Sequence, residues 1–194
     1  MKPVRRAALY EGAAVIGVMV AAMWLIEAVN AIDGQGLDGD GIYPRSLAGL
    51  PGIISSPFLH ASFTHLIGNT IPLVILGLVI AAAGARRVIE VTVVVALVAG
   101  LGTWLVGPSH VSTIGASGIV FGYAGFLIMR GFFMRSFPAL AIGVIVAILF
   151  GASLAADLVP QAGVSWQDHL FGALGGVLAA RLVSGGRGSQ TILP

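Results

Sequence analysis

Apolar residues run through this chain in long blocks, separated by shorter stretches in which glycine, proline and charge collect. A helix needs about 20 residues to cross the hydrocarbon of a bilayer. On that measure the blocks predict helices over about 7–29, 63–83, 88–106, 116–134, 138–157 and 167–184. The expected fold class is therefore all-α, a polytopic membrane protein built as a six-transmembrane-helix bundle, forming a single domain over 1–184. Most connections are short; the exception is a long outer loop over 30–62. It opens with Asp33-Gly34-Gln35-Gly36 and Asp38-Gly39-Asp40-Gly41, then turns apolar and proline-punctuated through Leu50-Pro51-Gly52-Ile53-Ile54 and Pro57-Phe58-Leu59. A free linker would not be so apolar, so the second half is expected to dip into the outer interface or pack on the helices. The polar, glycine-rich segment 185–194 reads as a flexible cytoplasmic tail. The two halves show no repeat, which argues against an inverted-repeat transporter.

Composition makes lipid the solvent. Of 194 residues 57% are hydrophobic and 9% charged, and the mean hydropathy is +1.00, more apolar surface than a water-soluble domain of this size can hide. The net charge of +2 comes from dispersed basic residues, so no nucleic-acid surface is expected. The absence of cysteine excludes disulfides, thiolate-bound zinc and a thiol nucleophile. Lys2, Arg5 and Arg6 precede an apolar segment, Ala7 to Val29, longer than the usual signal-peptide core of about 7–15 residues, so a retained helix is expected.

Charge then sets orientation. Nine of the ten Lys and Arg residues fall on one set of helix ends, at Lys2, Arg5, Arg6, Arg86, Arg87, Arg130, Arg135, Arg181 and Arg187. Arg45 falls on the other, together with Asp33, Asp38, Asp40, Asp157 and Asp168. The positive-inside rule puts both termini in the cytoplasm. The expected location is a bacterial cell (inner) membrane, with Trp24, Trp104 and Trp166 near the outer interface.

Against this background four side chains stand out. His65 and Asn69 are four apart at the start of the second predicted span and share one face, with His60 just ahead of them. Ser117 opens the fourth span in Gly115-Ala116-Ser117-Gly118, and His169 opens the sixth in Asp168-His169-Leu170-Phe171-Gly172. Second, fourth and sixth spans all begin on the outer side, so the four polar groups lie at one depth. Gly118, Gly122 and Gly125 form a small-residue stripe on the serine helix; Gly172 and Gly176 continue the face of His169. Such stripes bring helices in lipid closer than the usual 8–10 Å or so. A serine, a histidine able to take its proton, and further donors for an oxyanion are the components of a serine hydrolase.

In these three motifs, and in their order on alternate helices, the chain resembles the rhomboid family of intramembrane serine proteases. The resemblance implies Ser117 as nucleophile and His169 as general base, in a dyad without an acid. It implies an oxyanion hole from His65, Asn69 and the Ser117 backbone N-H. His60, Gly115, Gly118, Phe121, Gly172 and Gly176 take supporting places. It implies no cofactor and no metal, and as partners the lipid bilayer and single-pass or polytopic membrane-protein substrates, cut near the outer leaflet at small or helix-weakening residues. Two features depart from the family. The first loop lacks its common Trp-Arg pair, with Tyr43-Pro44-Arg45 the nearest material; and Phe121 stands where tyrosine is frequent, leaving a ring able to stack on His169.

Other readings predict other patterns. A non-proteolytic relative that binds membrane clients would not need both Ser117 and His169. A proton channel would carry polar residues down a whole helix face, whereas Leu73-Val74-Ile75-Leu76 lies below His65 and Asn69. A metal site from His60, His65 and His169 leaves the serine unexplained and lacks a carboxylate on the stripe. Asp168, about 100° round its helix from His169, is expected to cap or meet the interface rather than orient the imidazole. Glu27 is expected to reach water, His110 to be a solvated loop residue, and Glu90 to pair with Arg86.

Overall fold

The computed structural model describes residues 3–185. Among them are seven α-helices and no strand: α1 (Pro3–Ile32), α2 (Gly52–Ser55), α3 (Phe63–Ala81), α4 (Ala85–Val106), α5 (Ser117–Phe133), α6 (Phe137–Ala156) and α7 (Trp166–Gly185). The expected tail lies outside the described residues, except for Gly185, which ends α7.

Helix ends differ from the apolar blocks because lipid length and helix length are set by different forces. α1 extends to Pro3 at one end because arginine and alanine are good helix formers beyond the apolar run. At its other end Gln35, at φ 66°, donates its backbone N-H to the Asn30 carbonyl and turns the chain back. α3 stops at Ala81 rather than 83, and Gly84 at φ 95° allows α4 to begin at once at Ala85. Arg86 and Arg87 thus sit within α4, where both bind the Glu90 carboxylate, at 2.7 and 2.9 Å.

Among the described residues four helices, over Val4–Ile32, Phe63–Ala81, Ala85–Val106 and Phe137–Ala156, are long and apolar enough to cross a membrane. This is fewer than the six predicted spans. α5 has 17 residues, about 25 Å of helix, and α7 carries Asp168, His169 and Arg181 among its glycines. Both deficits have one cause. α5 is enclosed by α3, α4, α6 and α7, so its surroundings are protein rather than acyl chains, and α7 packs extensively on α4 and α5. α6 has the opposite character: it leans on α5 and exposes Ile145, Ile148 and Leu149.

The long loop is a packed structure. After a 3-10 turn over Gly36–Asp40, Ile42 exchanges two backbone hydrogen bonds of 3.0 Å with Thr113, ahead of the serine. Arg45 donates to the Leu105 carbonyl and to Ser109, and Trp104 Nε1 donates to the Ser46 carbonyl at 2.8 Å. Ile53 of α2 fills the space above Gly100 of α4.

Glycine decides the closest contact in the bundle. A Cβ on Gly172 would collide with the Gly118 carbonyl, and one on Gly176 with the Gly122 carbonyl, so α5 and α7 meet backbone to backbone. The Gly122 Cα itself faces Val95 of α4. Since rigid backbone leaves no room to relax, Gly176→Ala should destabilise the folded protein in detergent by about 1–3 kcal/mol. Gly151→Ala, where nothing lies within 4 Å, should be neutral or slightly stabilising. Equal melting shifts for the two variants would contradict this packing.

Candidate active site

α5 begins at Ser117 because the backbone before it bends sharply. Gly115 has φ 121°, a conformation natural to glycine and costly for other residues, and its N-H donates to the Ser56 carbonyl at 2.9 Å. The same glycine leaves room for what faces it. A Cβ there would stand 2.8 Å from His65 Nε2 and 3.4 Å from Asn69 Nδ2. The two α3 side chains therefore converge on the backbone two residues before the serine. Ser62 fixes their helix by capping it, its hydroxyl accepting the His65 backbone N-H at 3.2 Å. Asn69 is buried, and its Nδ2 has no hydrogen-bond partner.

His169 is held from two sides. Its ring lies on Phe121, with centroids 4.1 Å apart and planes 7° from parallel. Its Nδ1 is 2.9 Å from the Asp157 backbone carbonyl. A carbonyl only accepts, so Nδ1 carries the proton and Nε2 keeps the free lone pair, the tautomer a general base requires. Among the described residues no hydrogen bond joins Ser117 to His169; the Gly172–Gly118 contact holds their helices at one level.

His60 is completely buried in the loop ahead of α3, with its ring edge-on to His65 at 5.0 Å. Neither ring nitrogen has a hydrogen-bond partner. Burial first, and the neighbouring His65 second, push its pKa down from 6.5 to about 4. Asn30, also completely buried, holds this loop through its amide, which donates to Gln35 at 2.6 Å, Asp38 at 2.8 Å and the His60 carbonyl at 3.3 Å, while its oxygen accepts the Leu37 N-H.

One acidic residue differs from expectation, and a second departs from it only in being buried while, as expected, it does not orient His169. Glu27 does not reach water: it is fully buried, and neither carboxyl oxygen has a partner. Its face of α1 looks inward, as Asn30 three residues on also does. Asp168 is buried rather than interfacial and turns away from His169 toward Gly118 and Thr103. His110 is exposed. Sequence reasoning missed Asn30, although its spacing of three from Glu27 was a usable signal. It also missed the Asp157 and Ser56 carbonyls, for which side-chain patterns carry no signal.

An apolar helical bundle that brings His65 and Asn69 onto the backbone just ahead of Ser117, with His60 against His65 and His169 on the adjoining helix, defines an integral membrane protein with a buried polar site. Residues 48–186 match the Rhomboid domain family, and the chain belongs to that family. It is 41% identical over 181 residues to an uncharacterized protein of Mycobacterium tuberculosis and to one of Mycobacterium bovis, covering 89% of this chain and 75% of each relative. An uncharacterized protein of Mycobacterium leprae is 39% identical over 189 residues, covering 93% of this chain and 74% of the relative.

The buried His60 generates a pH dependence. Its folded pKa lies below its unfolded value, so between about 6.5 and 4 the unfolded chain binds the extra proton. Stability is complete above pH 6.5 and falls as pH drops toward 4, with a slope of up to about 1.4 kcal/mol per pH unit from this group. His60→Phe, which keeps a ring against His65, should flatten melting temperature against pH in that window. An unchanged slope would remove His60 from the acid response.

Proposed function

We propose that this protein is an intramembrane serine endopeptidase that cuts membrane-protein substrates near the outer leaflet. One observation carries the reading: His65 and Asn69 converge on Gly115, two residues before the serine, and Asn69 presents a buried donor with no acceptor. A lone buried amide is costly. An acceptor that exists only while a carbonyl carries negative charge is what such a donor serves.

In this mechanism the Ser117 hydroxyl oxygen forms a bond to the scissile carbonyl carbon as its proton passes to His169 Nε2. The carbonyl electron pair moves onto oxygen, where the Ser117 backbone N-H, His65 and Asn69 stabilise it. The C-N bond then breaks and the leaving amine takes the proton from Nε2. Water, deprotonated by the same nitrogen, releases the acyl group from Ser117 by the reverse sequence. The Asp157 carbonyl stabilises the imidazolium through Nδ1 and keeps the ring in its tautomer, so no side-chain acid is required. Phe121 fixes the plane of the ring by stacking.

The bundle crosses the membrane six times in this reading, with α5 and α7 as protein-enclosed spans and both termini in the cytoplasm. His65, Asn69, Ser117 and His169 open α3, α5 and α7 at their outer ends, so water reaches the serine from outside. A substrate helix must unwind locally before its peptide bond can be attacked, since helical carbonyls are already hydrogen-bonded.

Purified protein acting on a single-span reporter tests the proposal. Wild type should cut within the outer third of the reporter span, and Ser117→Ala and His169→Ala should each abolish cutting. His65→Ala and Asn69→Ala should each lower kcat by about 10²–10³. Cleavage by folded Ser117→Ala would contradict the nucleophile, and a cut in the cytoplasmic half would contradict the orientation.

A further inference from the structure

The first turn of α5 has an unusual backbone account. Ala116 supplies no side-chain cap, and the turn is buried at Gly118, Ile119 and Val120. The opening N-H groups of a helix have no partner within it, and a buried helix end needs one from elsewhere. In the proposed mechanism the Ser117 N-H is kept for the oxyanion. The Gly118 N-H likewise has no partner within its helix, and the buried Asp168 carboxylate of α7 lies against that residue across the helix interface. Glycine is required there, because a Cβ would run into both oxygens of that carboxylate.

Asp168 is anchored for this role. Its Oδ1 receives the Thr103 hydroxyl of α4 at 3.4 Å, and Thr103 is itself fully buried. Ser165 caps α7 locally, its hydroxyl accepting the Asp168 backbone N-H at 3.4 Å, which leaves the Asp168 side chain free to act on another helix. Successive residues point about 100° apart on a helix. His169 therefore faces Phe121 and the Asp157 carbonyl while its neighbour lies against the start of the serine helix. A negative group at a helix N-terminus also meets the positive end of the helix dipole.

We propose that Asp168 is a cross-helix N-cap of α5, a positioning residue that ties the first turn carrying Ser117 to the helix carrying His169. It touches neither the imidazole nor a substrate. What it supplies is an acceptor, so asparagine, which caps helices as well as aspartate does, should replace it, whereas alanine should not.

The kinetic arm of the test rests on the protease reading; the exchange arm does not. Wild type, Asp168→Asn, Asp168→Ala, Thr103→Val and the Asp168→Ala/Thr103→Val double variant would be compared in lipid nanodiscs. Amide hydrogen exchange would be followed over 115–121, and kcat and KM measured on the reporter. Asp168→Ala should exchange about 3- to 30-fold faster in that segment, with kcat falling about tenfold or more and KM within about twofold. Asp168→Asn should stay within about threefold of wild type on both measures. Thr103→Val should fall between, and the double variant should be no worse than Asp168→Ala, since both changes act on one contact. Wild-type exchange in Asp168→Ala would overturn the proposal, as would an Asp168→Asn variant as impaired as Asp168→Ala. If Asp168→Ala does not fold, wild-type exchange in Thr103→Val overturns it instead. Should wild type cut nothing, the protease reading fails while the exchange comparison still decides the cap.

Discussion

Everything at the site depends on how closely α5 approaches α7. Gly172 against the Gly118 carbonyl and Gly176 against the Gly122 carbonyl bring two backbones into direct contact. In lipid there is no hydrophobic drive between helices, so close packing and polar contacts must hold them together. The same approach places the imidazole of His169 on the Phe121 ring and the carboxylate of Asp168 against Gly118. One methyl group on either α7 glycine would separate the helices and disturb both contacts.

Polar groups form a layer at this level, and the bundle accepts a cost for it. Glu27, His60 and Asn69 all carry buried side-chain atoms without hydrogen-bond partners, and these three residues come from α1, the long loop and α3. Other buried polar side chains are paired, as in the 2.5 Å contact between Thr92 and Tyr123. In the proposed mechanism, the unsatisfied His60 against His65 and Asn69 at Gly115 fit a site whose partners arrive with the reacting substrate. The Asn30 amide limits that cost by fixing the loop that carries His60.

Apolar blocks made the long helices legible, and the spacing of His65, Asn69, Ser117 and His169 made the candidate site legible, because both are periodic properties of side chains. What the pattern hid has a common physical origin. α5 and α7 fall short of a lipid-facing composition because protein surrounds or covers them, a fact of tertiary packing. The orienting partner of His169 is a backbone carbonyl, which every residue possesses, so no residue type at 157 announces it. Glu27 near a helix end looked like a group reaching water, yet the loop over 33–62 folds back across that end and seals it.

In the proposed mechanism Ser117 is a nucleophile activated by His169. The most direct measurement is peptide mapping by mass spectrometry after wild-type protein in lipid is treated with a fluorophosphonate, which forms a stable bond only with an activated serine. The account predicts one adduct, on the peptide containing Ser117, and its loss in folded His169→Ala. An unmodified Ser117, or an adduct that forms equally well without His169, would contradict it.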